Sequence, residues 1–495
     1  MKKFIKINER DNVAVALEDL SAGSIIDESG IQLKLSDDII RGHKFAIEDI
    51  QQGENIIKYG FPIGHSEKSI IKGMHVHSHN VKTNLAGSVE YSFNQLLNEL
   101  TSPRSSIIFN GYRRENGDIG IRNELWIIPT VGCVNGIAEK ILDSFTKEVN
   151  VKHIDAVKVF KHNYGCSQLG DDHINTRTIL GDMAKHPNAG GVLVLGLGCE
   201  NNGMKDFIAS LGQYNEKRTR FMIAQEVSDE IKEGVKLLKE LYENMIKDTR
   251  EKASINELKI GLKCGGSDGF SGITANPLLG AFSDYLISQG GTTVLTEVPE
   301  MFGAETLLMN RAINEEVFDK TVNLINDFKS YFIEHKQPVY ENPSPGNKAG
   351  GITTLEEKSL GCVQKGGKAA VVDVLKYGEV LKKKGLNLLN APGNDLVAAT
   401  ALGASGCHMV LFTTGRGTPF GSFVPTMKIS TNTQLYKLKP HWIDFNAGIL
   451  LENEAMSRVL EDFVNYLVKV ANGEHVNNEK NDYREISIFK TGVTL

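Results

Sequence analysis

The chain has 495 residues, 41% of them hydrophobic and 23% charged, with a formal net charge of -6. That balance can bury real cores, which argues against disorder, and its acidity argues against a polyanion such as nucleic acid as partner. At roughly 100–200 residues per domain the length predicts about three domains.

The start, Met1-Lys2-Lys3-Phe4-Ile5-Lys6, has charge but no apolar stretch behind it. The longest apolar runs, such as Gly191-Val192-Leu193-Val194-Leu195, are far shorter than the ~20 residues of a membrane span. A cytoplasmic protein without a membrane partner is therefore expected. The six cysteines are too scattered for a disulfide framework and are expected as free thiols, some of them metal ligands.

Residues 1–95 read as a small β-rich unit. Asp11–Leu17 alternates polar and apolar residues as a half-buried strand does, and Gly23, Gly42, Gly53, Gly60, Gly64 and Gly73 mark turns. Residues 96–109 read as a linker, polar and proline-broken at Thr101–Ser106. Residues 110–252 alternate strands (Ala156–Phe160, Gly191–Gly196) with helix (Glu226–Asp248), a middle α/β domain. Residues 253–495 repeat this on a larger scale, with strands at Lys259–Leu262, Thr292–Thr296, Ala369–Asp373 and Met409–Thr413, a mostly parallel sheet with helices on both faces.

Ligands of open α/β sheets bind at the carboxyl ends of the strands, so the segments after each strand are the candidate sites. They are Gly196–Asn202, Lys263–Gly269, Glu297 with Glu300, and Thr414–Pro419. They hold thiols, carboxylates and an arginine among glycines that let backbone approach an anion. Glycine loops also simply turn a chain, and the recurrence is what favours function. No G-x-G-x-x-G or P-loop is present, so no nucleotide is predicted.

In Met74–Asn80, an extended strand would turn His75, His77 and His79 to one face, a set suited to iron, zinc or manganese. A polar surface strand is the plain alternative. Cys133, Cys166, Cys199 and Cys264 each adjoin glycine in apparent loops and are candidate thiolate ligands, whereas Cys362 and Cys407 adjoin apolar residues and read as core. There is no C-x-x-C pair, so a zinc or ferredoxin-type site has no local support, although three distant cysteines can still make a cluster. Arg113, Arg114, Arg122, Lys348 and Arg416 are candidate anion binders, the last two set among tight glycine turns. His162, Asp171, Asp172 and His173 flank Cys166 as acid–base candidates.

Taken together, Asp11–Leu17, Gly73–Asn80, Gly117–Gly136, Tyr164–Arg177, Gly196–Asn202, Cys264–Asn276, Thr293–Ala304, Glu341–Thr354 and Thr413–Lys428 make the chain resemble the altronate/galactarate dehydratase family from end to end. The resemblance implies a multidomain α/β protein. Its N-terminal domain would be a β-clip (SAF-like) unit, its middle domain would dimerise, and its C-terminal domain would be Rossmann-like and carry a metal. It implies conversion of D-altronate to 2-dehydro-3-deoxy-D-gluconate in hexuronate (galacturonate) breakdown, with Fe2+, or alternatively Mn2+, as cofactor and a homodimer as assembly.

No catalytic residue list comes with the resemblance. On loop position and residue chemistry, the metal falls to a subset of Cys264, Glu297, Glu300, His75, His77 and His79. Arg122, Asn347, Lys348, Arg416 and Thr418 fall to the substrate, and His77 or His162 to proton transfer. The linker would let the N-terminal domain act as a lid delivering His77. Galactarate is the alternative substrate. A NAD-dependent oxidoreductase and a non-catalytic carbohydrate-binding protein are the rivals from other classes.

Overall fold

The computed structural model describes residues 2–85, 90–101, 107–492 and 494. Of the expected linker at 96–109, residues 102–106 lie outside the described residues.

The N-terminal unit is β-rich, as expected. Short antiparallel strands Phe4–Ile5, Val13–Ala16, Lys44–Ala46 and His75–Val76 form one sheet, and Asn55–Lys58, Phe61–Ser66 and Val81–Lys82 another. Val13–Ala16 is buried throughout, not half-buried, because the second sheet covers its other face. The histidine strand is shorter than predicted. It ends at Val76, and His77–Asn80 form a turn, closed by the His77 N–H donating to Asn80 Oδ1 at 2.9 Å.

The middle unit is a four-stranded parallel sheet in the order Ala156–Val159, Glu124–Pro129, Ala189–Gly196, Thr219–Ile223. The Glu230–Met245 helix covers it, shorter at both ends than the predicted span, with Asp229 accepting from the Lys232 N–H as N-cap. The large C-terminal sheet has seven strands, every pairing parallel. Their order is Val371–Leu375, Gly385–Leu389, Thr292–Leu295, Lys259–Cys264, Met409–Thr414, Thr426–Ser430, Phe445–Asn446. Successive strands are laid first to one side of Lys259–Cys264 and then to the other. Its carboxyl end therefore sits at a topological switch point, where the crossovers diverge and leave a crevice.

The N-terminal unit is pinned, not hinged. Lys44 and Lys58, both fully buried, reach into the C-terminal unit and share Glu357 at 2.8 and 2.7 Å. Residues 90–101 run along the C-terminal unit. There the Leu96 N–H donates to Asn310 O, the Tyr91 hydroxyl to Glu305 at 2.6 Å, and Phe93 packs on Phe318. The lid expectation is corrected accordingly. Opening would strand two buried ammoniums without their carboxylate, a cost of several kcal/mol.

A candidate metal centre at the switch point

Cys264 ends the central strand and is buried, its N–H donating to Glu297 Oε2 at 3.0 Å. Glu297 follows the neighbouring strand in a left-handed conformation (φ 70°), which costs a non-glycine residue of order 1–3 kcal/mol and swings its carboxylate beneath Cys264. One short turn later Glu300 points inward. Its Oε2 lies 3.4 Å from Cys264 Sγ and 3.1 Å from Cys362 Sγ, and the two sulfurs are 3.2 Å apart. Among the described residues, Cys264, Glu300 and Cys362 are the three His, Cys, Asp or Glu ligand groups that converge within 4.8 Å.

Three buried lysines surround them. Lys358 pairs with Glu300 Oε1 at 2.6 Å; Lys365 lies 2.9 Å from both Cys264 Sγ and Glu297 Oε2; Lys263 pairs with Glu297 and, at 2.9 Å, with Asp395. Burial alone would raise the Glu300 carboxyl, but Lys358, Lys263 and Lys365 override it and hold it at about 2. The Cys362 thiol is pushed up by its contact with Cys264 and by burial. Three ammoniums thus offset three carboxylates, and the thiols complete a neutral nest while protonated. A divalent cation exchanged for their two protons leaves that sum unchanged. Two sulfurs and one carboxylate oxygen also suit Fe2+ better than Mg2+, so the donors fit the expected ion.

Cys362 had read as core. The missed signal is periodic: Lys358, Cys362 and Lys365 are spaced four and three apart, one face of the Leu355–Cys362 helix and its 3-10 extension.

The remaining sequence candidates divide by location. The turns carrying Arg416 and Lys348 lie against the loop that follows Cys264. The Arg416 N–H donates to Gly266 O at 3.1 Å, and the Lys348 turn is tied down by Asn347 Nδ2 donating to Ser267 O at 2.8 Å; both long side chains are exposed. Asn347 itself, expected on substrate, is buried as the third residue of a capping box with Ser344, and its Oδ1 also accepts from Lys358. Thr418 follows Arg416, its hydroxyl oxygen accepting from the Phe420 N–H at 3.2 Å.

His75, His77 and His79 join His43 in an imidazole cluster with ring centroids 5.0–5.5 Å apart. Because the strand stops at Val76, they stack round a turn and do not line one face. They meet the nest through the Lys348 turn, where His77 Nε2 donates to Lys348 O at 2.8 Å, and they are not among the three converging ligands. Burial together with neighbouring imidazoles draws His75 down to about 3, and burial with the Lys44 ammonium draws His77 to about 4.

Two candidates do not reach the nest. Both His162 nitrogens are occupied, Nε2 with Pro129 O at 2.7 Å and Nδ1 accepting from the Tyr164 N–H, so the ring braces the middle unit and has no free site for a proton. Arg122 is fully buried. Its five N–H groups are engaged by Glu479 and by the carbonyls of Ile121, Val470 and Glu474, and none remains for substrate. Arg122→Ala should destabilise the fold by about 3–5 kcal/mol, measured by urea denaturation.

Burial alone would raise the Glu479 carboxyl, and Arg122 with Arg484 holds it at about 2. A folded-state value depressed below the model-compound 4.5 means stability is full above that pH and falls as pH drops towards 2. Glu479→Gln should flatten this acid limb in denaturation curves recorded from pH 5 to pH 2.

The cleft lined by Tyr59, Ser267, Asp268, Glu357, Lys358 and Cys362 has a volume of about 10 Å³, room for roughly one water or ion. A larger cleft of about 380 Å³, lined by Arg114, Lys185, Tyr214 and Arg218, lies away from this chemistry, and both its arginines are paired with Asp248.

Three family models cover the chain. The altronate/galactarate dehydratase SAF domain matches residues 2–84, the D-galactarate dehydratase/altronate hydrolase second domain residues 111–246, and the D-galactarate/altronate dehydratase C-terminal domain residues 255–494. The chain is 62% identical over 497 residues to an altronate dehydratase of Bacillus subtilis (strain 168), covering 100% of both chains. The chain belongs to the altronate/galactarate dehydratase family. Within the family it is 58% identical to an altronate dehydratase of Escherichia coli (strain K12) over 100% of both chains. It is 33% identical to the galactarate dehydratase (L-threo-forming) of the same organism, over 95% of this chain and 93% of that one. The SAF match falls on the β-rich unit and the C-terminal match on the seven-stranded sheet that carries the nest.

Proposed function

We propose that this chain dehydrates D-altronate to 2-dehydro-3-deoxy-D-gluconate, with the metal held by Cys264, Glu300 and Cys362. The observation that carries the reading is the buried nest of two thiols and a carboxylate ringed by Lys263, Lys358 and Lys365, in a chain so similar to altronate dehydratases. The 62% and 58% identities, against 33% for the galactarate enzyme, favour altronate over galactarate.

Dehydration of a sugar acid removes the proton next to the carboxylate and expels the neighbouring hydroxyl. The obstacle is the negative charge that gathers on the carboxylate as the proton leaves. A bound divalent ion supplies Lewis acidity against that charge, worth several kcal/mol. Lys358 and Lys365 add fixed positive potential in a dry site, where such charges act strongly. Arg416 and Lys348, exposed on their turns, grip the substrate carboxylate and hydroxyls. We place the base in the imidazole cluster beside the Lys348 turn, on a ring other than His77, whose nitrogens are both engaged, Nε2 by Lys348 O and Nδ1 by the Ser78 N–H. The nest is too small for a sugar acid, so the substrate reaches it from the side of these turns.

We further read the N-terminal unit as a β-clip, the C-terminal unit as Rossmann-like, the middle unit as the dimerising one, the metal as Fe2+ and the location as cytoplasmic. Among the described residues no helix is long and apolar enough to cross a membrane.

The test is direct. Protein loaded anaerobically with Fe2+ should form a 2-keto-3-deoxy acid from altronate much faster than from galactarate, and chelator-stripped protein should not. Equal rates with and without metal would overturn the reading. Arg416→Ala should raise KM for altronate about tenfold or more while leaving bound iron unchanged.

A further inference from the structure

The middle unit holds a second set of thiols that the reading above leaves unused. Cys133, Cys166 and Cys199 are all exposed. Each follows the carboxyl end of one of three adjacent parallel strands, Glu124–Pro129, Ala156–Val159 and Ala189–Gly196. The first of these strands is flanked by the second and the third, so this edge is also a switch point.

The three loops are knitted together. The Gly132 N–H donates to Tyr164 O at 2.9 Å, the Asn202 N–H to Gly165 O at 3.0 Å, and the Ser167 N–H to Asn201 Oδ1 at 2.8 Å. Glycine precedes every one of the cysteines. Gly165 and Gly198 have φ of 98° and 129°, and a Cβ on Gly132 or Gly165 would meet backbone oxygen at 2.8 and 2.0 Å. Glu200 braces the third loop, accepting from Thr130 Oγ1 and from the Leu197 and Gly198 N–H groups. Helices Asn135–Glu148, Gly170–Ala184 and Met204–Leu211 all begin just beyond the cysteines, so their positive ends face the same edge.

We propose that Cys133, Cys166 and Cys199 hold an iron–sulfur cluster on the middle unit, through three thiolates. A cluster does not need the three sulfurs to meet on one ion, because each thiolate takes an iron of its own. Three thiolates hold three irons of a four-iron cube and leave the fourth open to water or a small oxygen ligand. The helix ends favour the net negative charge of such a thiolate-bound cluster.

The experiment is anaerobic reconstitution of the full chain with iron salts, sulfide and a thiol reductant, followed by visible absorption, electron paramagnetic resonance after reduction, and acid-labile sulfide. The expected result is a broad sulfide-to-iron absorption with stoichiometric sulfide in the wild type and in Cys264→Ser. In Cys133→Ser, Cys166→Ser and Cys199→Ser both signals should fall at least tenfold with circular dichroism unchanged. If a serine variant proves unfolded, the corresponding alanine variant takes its place. Wild type without labile sulfide, or loop-cysteine variants that keep it, or its loss in Cys264→Ser, would each overturn the proposal.

Discussion

Glu300→Gln is expected to lower altronate turnover by roughly a hundred- to a thousandfold, the range seen when a single preorganised electrostatic group is removed. The substitution keeps the shape of the side chain and removes its charge. Glu300 stands between the two thiols and Lys358, so its loss weakens the hold on a cation and leaves the Lys358 ammonium, 2.6 Å away, without its counter-charge. The added positive potential repels a divalent ion at the position where the thiols converge. Iron bound per chain, measured after equilibrium dialysis, should fall with the rate. Retention of full iron and near wild-type turnover would remove Glu300 from the centre. Cys362→Ser should behave alike, and it separates this centre from one built on Cys264 and the histidines alone.

Glu357→Ala should produce the largest loss of stability, about 3–5 kcal/mol or more. It leaves both Lys44 and Lys58 buried and unpaired at the junction of the N-terminal and C-terminal units. Burial alone would raise the Glu357 carboxyl, and the two ammoniums hold it at about 2, so both ion pairs are intact at neutral pH. Lys44 keeps Gly351 O and Thr353 Oγ1 as acceptors, which softens the loss on that side, while Lys58 keeps only its neighbour Tyr59, among the described residues. The readouts are the urea midpoint and limited proteolysis, which should now cut between the N-terminal unit and the rest. Lys44→Met and Lys58→Met combined with Glu357→Leu should recover part of the stability, since an apolar replacement of the whole buried triad escapes desolvation.

The imidazole cluster and the metal nest meet at the turn of Asn347, Lys348 and Ala349, through His77, His43 and Asn347. This arrangement assigns two tasks to two structural units. In the proposed mechanism the C-terminal unit would stabilise developing charge, and the N-terminal unit would supply the imidazoles. The rigid Lys44–Glu357–Lys58 junction fixes that geometry in advance, so positioning does not depend on a closing motion.

The sequence by itself determined the three-part α/β plan and the family. Strand periodicity and end-to-end motifs are local properties that survive without the fold. It also put Cys264, Glu297 and Glu300 at strand ends and Arg416 and Lys348 in glycine turns, because a strand's end can be read from its own residues. Only the tertiary structure decided which strand ends are neighbours, and hence that Cys362, 98 residues after Cys264, converges with Cys264 and Glu300. It alone showed that Lys263, Lys358 and Lys365 are buried counter-charges, that Arg122 and His162 brace the fold, and that the histidine strand stops at Val76. Burial and pairing depend on what long-range contacts place around a side chain, and a charged residue reads alike in sequence whether water or a carboxylate surrounds it.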